Sequence, residues 1–270
     1  MMSFCTSGFL QAEEKHRAAR YRVPTSLGGS AIGIGTDVCL RATSSSRRPT
    51  RSCTSANAPS ASSHLAATLG VRAAEDKFKG GSHYRVALVD LDPMRGPVAW
   101  WLRRGKTENP TIFEGAETAA DAVERLEMAG WDICIMDSPP AFLTVIDEMI
   151  RAADFTVIPS KASLLDIMGM GDMLTLANEA GAAHFVVFND IAGPEKALTS
   201  ARKMLAGEKI PTAKTHISHR PSHVAGMAAG KTAAEINKGR DTTASAEIDA
   251  LWLEVKAAAA KAAKNKGISQ

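Results

Sequence analysis

The sequence predicts an α/β fold, a parallel twisted sheet covered by helices on both faces, over roughly its last two hundred residues. Three observations carry this expectation. Short β-branched runs recur along the chain, each short enough for a buried parallel strand. Stretches with helical spacing alternate with them, which implies right-handed crossovers between parallel strands. The apolar runs close on polar residues (Asp90, Asp137 and Asn189), and in this fold class ligands bind beyond the carboxyl ends of the strands.

In chain order, 85–89 (RVALV) reads as the first such strand and ends in Asp90. Residues 116–129 read as a helix, with Ala119, Ala120, Val123 and Leu126 on one face and Gly130 placed to stop it. The run 133–136 (ICIM) is a second strand, ending in Asp137. Helix is expected over 142–153, strand over 155–158, and one long helix over 164–180 closed by Gly181. A further strand, 185–188, ends at Asn189, and 195–206 reads as helix. Ile248, Leu251, Trp252 and Val255 follow the i, i+3, i+4, i+7 spacing of a docked amphipathic helix. The Ala/Lys-rich residues 259–270 are expected to fray into solvent.

The first 63 residues differ in kind. Residues 41 to 63 are dominated by Ser, Thr, Ala, Pro and Arg, and no acidic residue occurs between Asp37 and Glu75. Such a composition buries too little apolar surface to offset ordering entropy, so an irregular or disordered segment is expected. A flexible basic arm, an organellar transit peptide and the product of a disrupted reading frame all fit that composition; Glu13 and Glu14 speak against the transit peptide. The division expected is therefore 1–63 irregular, 64–258 a single α/β domain, and 259–270 a tail.

Bulk properties exclude more than they assign. A net charge of +3 over 270 residues is too small to imply nucleic-acid binding by itself. No apolar run approaches the roughly 18 residues that span a bilayer. Cys5, Cys39, Cys53 and Cys134 form no CxxC pair, so a reduced, cytoplasmic setting is the expectation. Cys134, inside an apolar run, reads as a core residue.

The chemistry-bearing residues are carboxylates. Asp90 and Asp92 follow the first strand; alternation sends both to the same side if the strand continues, and a turn at Pro93 would splay them apart. One acidic residue at a strand end commonly does no more than end the strand. A second strand ending Asp137-Ser138-Pro139-Pro140 changes that, because two such strands side by side form an edge suited to a hard cation such as magnesium. His216, His219 and His223 have an H-x2-H-x3-H spacing, but Pro221 interrupts any shared helix face, and hydrogen-bonding histidines are expected there rather than a metal site.

These segments, in this order, resemble the ParA/MinD family of partition ATPases with a deviant Walker motif. RVALVDLDP and WDICIMDSPP are similar to its second motif and its Walker B/switch segment. AADFTVIPSKASLLDI resembles the strand and proline before a Ser-Leu helix start. VVFNDI resembles the late strand ending in Asn, and GKTAAEI with AEIDALWLEV the C-terminal region. The resemblance implies a P-loop NTPase-like fold from about residue 64 to 258, an ATP hydrolase using ATP and Mg2+, and a part in plasmid or chromosome segregation or cargo positioning. It further implies a homodimer formed on ATP binding, non-specific DNA, and a partner protein that stimulates hydrolysis.

Carried over by residue, Asp92 matches the aspartate that orients the attacking water, and Asp137 and Asp90 match those near the magnesium. Asn189 matches the residue at the nucleotide base, with Pro93 beside the nucleotide. Lys231, Lys238 and Arg240 match the basic region that meets DNA phosphates. Two departures stand out. Met94 replaces the family's usual Gln. More seriously, the K-G-G-x-G-K-[ST]-[ST] loop is absent: its Lys falls near Ala58, within Ser55-Ala56-Asn57-Ala58-Pro59-Ser60, which holds neither Gly nor Lys. Neither Gly28–Gly35 nor Lys77-Phe78-Lys79-Gly80-Gly81 has the sequence and position to replace it. A nucleotide-free interaction module on the same fold is therefore the alternative expectation. An iron–sulfur reductase or an amide-forming synthetase on the same scaffold is a third, and Cys134 alone does not supply a cluster.

Overall fold

The computed structural model describes residues 2–4, 37–42, 50–54, 61–78, 81–139, 142–236 and 242–265. Most of the expected irregular segment 1–63, the Ala58 position, Lys238 and Arg240 lie outside these residues. Within that segment three strands are described: β1 (Met2–Phe4), β2 (Asp37–Ala42) and β3 (Thr50–Thr54).

Helix α1 (Ala61–Glu75) follows, then β4 (Val86–Asp90), α2 (Gly96–Arg103) and β5 (Thr111–Ile112). Next come α3 (Ala119–Met128), β6 (Ile133–Asp137), α4 (Leu143–Ala152), β7 (Asp154–Ser160), α5 (Leu164–Gly169) and α6 (Gly171–Glu179). The chain continues through β8 (His184–Ile191), α7 (Glu195–Gly207), β9 (Thr212–Ser218), α8 (Pro221–Ala229) and α9 (Thr242–Asn265).

The strands form one sheet in the order β5-β4-β6-β2-β1-β3-β7-β8-β9. The pairs β4–β5, β4–β6, β7–β8 and β8–β9 are parallel, as the alternating pattern requires. Strand β3 runs parallel to both β6 and β7, whereas β2 pairs antiparallel with β6. The parallel run β3, followed by α1, thus completes the alternating strand–helix order at its start.

Alternation along each strand feeds two faces. Val86, Leu88, Ile133 and Ile135 join Leu65, Leu69, Trp100, Leu251 and Trp252 in a core under α1, α2 and α9. Ala87, Val89, Cys134 and Met136 pack on the opposite face with Val123, Leu126, Ile146, Met149 and Met173 from α3, α4 and α6. Cys134 is therefore a core residue, as its apolar run implied. Helix α1 lies close to the sheet because Gly70 has no side chain there; a Cβ would come within 2.8 Å of Leu88 Cδ2.

The single helix expected over 164–180 is two, broken at Met170 (φ −89°, ψ 4°). Gly169 and Gly171 flank that residue and weaken helix continuation, while the Met170 side chain is buried under β8. The tail expected to fray from residue 259 instead continues α9 to Asn265, burying Ala259 and Ala262 in the core. Alanines spaced on from Val255 keep the apolar stripe going, and alanine is the best helix former. The middle of α9 is also tied to the residue that follows α1: Trp252 Nε1 and Lys256 Nζ donate to the Asp76 carboxylate at 2.9 and 2.7 Å.

Strand β9 forms one margin of the sheet, and α9 closes it. Glu254 accepts from the backbone N–H groups of Lys214 and Thr215, and Glu247 from that of Ser218. No helix among the described residues is long and apolar enough to cross a membrane.

Candidate functional site

Asp90 and Asp137 end adjacent parallel strands and stand opposite one another in the register of β4 and β6. Their parity with Leu88 and Ile135 puts both on the α1 face. Neighbouring strands are about 4.8 Å apart, so the two carboxylates share one edge. The Leu91 amide donates to the Asp137 carbonyl at 3.0 Å and keeps the chain beyond β4 against the same edge.

Asp137 is buried and accepts a 2.7 Å hydrogen bond from Ser63 Oγ in the first turn of α1, which is equally buried. Asp90 is occupied differently. Its Oδ1 accepts from the Asp92 amide and its Oδ2 from the Val98 amide, both at 3.2 Å. Val98 lies in the first turn of α2, whose N-cap Arg95 makes no side-chain capping bond, so Asp90 caps that helix from eight residues upstream. Burial pushes the Asp90 carboxyl up to about 6, against the lowering effect of those two amide bonds.

Asp92 is buried, and its Oδ1 accepts from the Met94 amide at 2.9 Å. The Asp92 carbonyl also accepts from the Arg95 amide, so Asp92 fixes the turn at Pro93. Strand β4 ends at Asp90 and the chain turns at Pro93, so the strand's alternation does not run on to Asp92. Pro93 and Met94 are exposed at its tip. Met94, at 64% exposure, contributes an apolar surface beside the carboxylates.

Asn189 is buried near the end of β8 on the α1 face, sharing parity with Phe185 and Val187. Counted through the β6–β3, β3–β7 and β7–β8 pairings it lies three strands from β6, roughly 14 Å at the usual strand spacing. It lines a cavity of about 160 Å³ with His64, Asp190, His219, Arg220 and His223. His64 of α1 and His223 of α8 meet edge to face, with His223 Nδ1 3.0 Å from His64 Nε2. Burial, helped by His223, pushes His64 down to about 3, so it is neutral at ordinary pH. Asp190 has a left-handed backbone (φ 58°), and its carboxylate pairs with Lys161 at 2.9 Å and His219 at 2.5 Å. Burial alone would raise the Asp190 carboxyl, but these two partners outweigh it and hold it below its ordinary range.

The structure thus brings Asp90, Asp92 and Asp137 to one edge and sets Asn189 farther along the same face. The three histidines at 216, 219 and 223 do not converge: His216 sits on β9, His219 turns to Asp190, and His223 is buried against His64. The cause is Pro221, which starts α8 and ends any common helical face. No group of three or more metal-ligating side chains forms among the described residues. Lys231 is exposed just after α8, while its carbonyl accepts from Trp100 Nε1 at 3.1 Å. Ser63 and the His64–His223 pair escaped sequence reading. Ser63 lies in a Ser/Ala-rich stretch with no apolar pattern, and the two histidines are 159 positions apart.

No protein-family model matches the chain, and no curated protein matches it. Solved structures do share its fold. "Structure of Cyanthece apo McdA" aligns at TM-score 0.52 and 15% identity, covering 70% of this chain and 93% of that one. A ParA family ATPase from Chlorobium tepidum TLS aligns at TM-score 0.55 and 12% identity, covering 71% and 93%. The MinD cell division protein of Aquifex aeolicus aligns at TM-score 0.51 and 14% identity, covering 77% and 92%. At such identities the likeness establishes the fold, and the fold is the α/β architecture that the ordered motifs implied.

Proposed function

We propose that this chain, which has the fold of McdA, ParA and MinD, is a ParA-like protein that binds Mg2+ and ATP at its strand ends and acts in segregation or cargo positioning. One observation carries the reading: Asp90 and Asp137 in register on adjacent strands, with Asn189 on the same face of the same edge. Asp137, with the Ser63 hydroxyl beside it, and Asp90 offer hard oxygen donors of the kind magnesium takes. A site with few protein ligands suits an ion that keeps its waters and shares phosphate oxygens, so the residues fit the metal. Bound there, the metal would neutralise charge on the phosphates. Asp92 would orient the attacking water, and Asn189, with Pro93 at the turn, would contact the nucleotide.

The fit to the triphosphate is poorer. Ser55-Ala56-Asn57-Ala58-Pro59-Ser60 supplies no Lys and no Gly where anion-binding amides and a cation are needed. That sequence favours a second reading, a nucleotide-free interaction module on the same fold. Further parts of the first reading are an ATP-dependent homodimer, a stimulating partner protein, and DNA contact through Lys231, Lys238 and Arg240.

The test is ATP binding by the purified full chain, followed by calorimetry with and without Mg2+, beside Asp92→Ala and Asp137→Ala. Saturable Mg2+-dependent binding weakened by Asp137→Ala supports the first reading. No binding at millimolar ATP overturns it and leaves the second.

A further inference from the structure

Helix α2 lies between the carboxylate edge and the segment that follows α8. At its N-terminal end the Val98 amide is held by the Asp90 carboxylate. One to two turns on, roughly 9 Å along the axis from Val98 to Arg104, it grips the segment 230–236 that follows α8. Trp100 Nε1 donates to the Lys231 carbonyl at 3.1 Å, and Arg104 Nη1 to the Gly230 carbonyl at 3.2 Å. Arg104 also forms a two-pronged bond with Glu235, both contacts 2.7 Å. Glu235 in turn accepts from the Thr232 amide and hydroxyl, so the guanidinium, the carboxylate and the segment's backbone form one network.

The packing is as close as the bonding. Gly230 has a left-handed backbone (φ 66°), and a Cβ there would lie 2.3 Å from the Arg104 amide nitrogen. Gly226 of α8 is similarly closed over by the Lys231 carbonyl, 2.9 Å from a built Cβ. The segment carrying exposed Lys231 is therefore seated on the last turn of α2 and the end of α8. A shift of α2 along its axis must displace it or break the Arg104–Glu235 contact.

We propose that α2 is a strap that couples the carboxylate edge to the segment 230–236, so that whatever engages Asp90 alters the order of the surface around Lys231. Asp90 uses both carboxylate oxygens on backbone amides, one of them in α2, so a cation drawn to Asp90 competes with the cap. The identity of that ligand rests on the proposed function; the mechanical link rests only on bonds within the chain.

Hydrogen–deuterium exchange of the full chain tests it, with wild type compared to Asp90→Ala, Arg104→Ala and the double variant. Loss of the cap in Asp90→Ala is expected to speed exchange in 230–236 roughly fivefold as well as in α2. In the Arg104→Ala background the added Asp90→Ala change is expected to have a much smaller effect on 230–236, because of the strap's hydrogen bonds to the segment only that from Trp100 to the Lys231 carbonyl is left. An Asp90→Ala effect confined to α2, or two effects that simply add, overturns the proposal. Should Asp90→Ala fail to fold, Arg104→Ala tests the link from its other end: it is expected to speed exchange at the first-turn amides of α2, Val98 included, as well as in 230–236, and an effect confined to 230–236 overturns the coupling equally. A chain that binds no Mg2+–ATP yet shows the coupled exchange refutes the nucleotide reading and supports the strap.

Discussion

Replacing Asp90 with Asn is expected to stabilise the ligand-free protein at pH 7.5 and to destabilise it slightly at pH 3.5. The folded carboxyl titrates at about 6 against an ordinary 3.8, because burial disfavours its charged form. Between those values the folded chain keeps a proton that the unfolded chain has lost. Stability therefore falls as pH rises through this window, and is fully reduced above about 6. A rise of that size corresponds to on the order of 3 kcal/mol, a ceiling given the carboxylate's partial exposure. The amide carries no such penalty. It has one acceptor oxygen, however, so either the Asp92 or the Val98 amide loses its partner, at about 1 kcal/mol. The net expectation is a gain of about 1–2 kcal/mol at pH 7.5 and a loss of about 1 kcal/mol at pH 3.5. Urea unfolding of both proteins across that range measures it, and the titration of His64 cancels in the difference. A difference independent of pH, or an Asn variant less stable at pH 7.5, would refute the reasoning.

Three further outcomes follow from contacts already described. Ser63→Ala removes a buried donor from the Asp137 carboxylate and should cost about 2 kcal/mol in chemical denaturation, with the sheet intact by circular dichroism. Gly230→Ala meets both a left-handed backbone and the Arg104 backbone; a loss above about 2 kcal/mol is expected, and a neutral thermal shift would show that α2 and α8 are not so closely packed. Because burial and His223 push His64 down to about 3, the folded chain must keep it neutral. Stability then drains as pH falls below 6.5, by roughly 2 kcal/mol at pH 5. His64→Gln should flatten that acid slope, and an unchanged slope between pH 7 and 5 would place the sensitivity elsewhere.

The fold was legible wherever a periodic apolar pattern ran into a polar stop. The strands ending at Asp90, Asp137 and near Asn189, and the helix carrying Leu251 and Trp252, all announce themselves this way. Helix α2 did not, because Gly96-Pro97 and the Trp100-Trp101 pair give no helical spacing, and what starts it is a carboxylate eight residues upstream. Strand β9 was hidden too: Thr, Lys and His alternate with only Ala213 and Ile217 buried, as befits a margin of the sheet. At the site, the carboxylates were readable from their place after strands. That Asp90 is a helix cap, that Ser63 reaches Asp137, and that His64 meets His223 depend on tertiary proximity that no local spacing encodes.

The treatment of β9 by α9 has a bearing on how copies of this molecule can meet. A bare outer strand presents a ladder of donors and acceptors that another chain can zip onto. Here Glu247 and Glu254 occupy donors along that ladder and set negative charge beside it, so an incoming backbone finds amides already taken and its own carbonyls repelled. Growth by strand addition is thereby discouraged on this flank, and open-ended fibres by that route with it. On this flank association is left to surfaces made of side chains, where geometry can bring it to a halt after a defined number of copies.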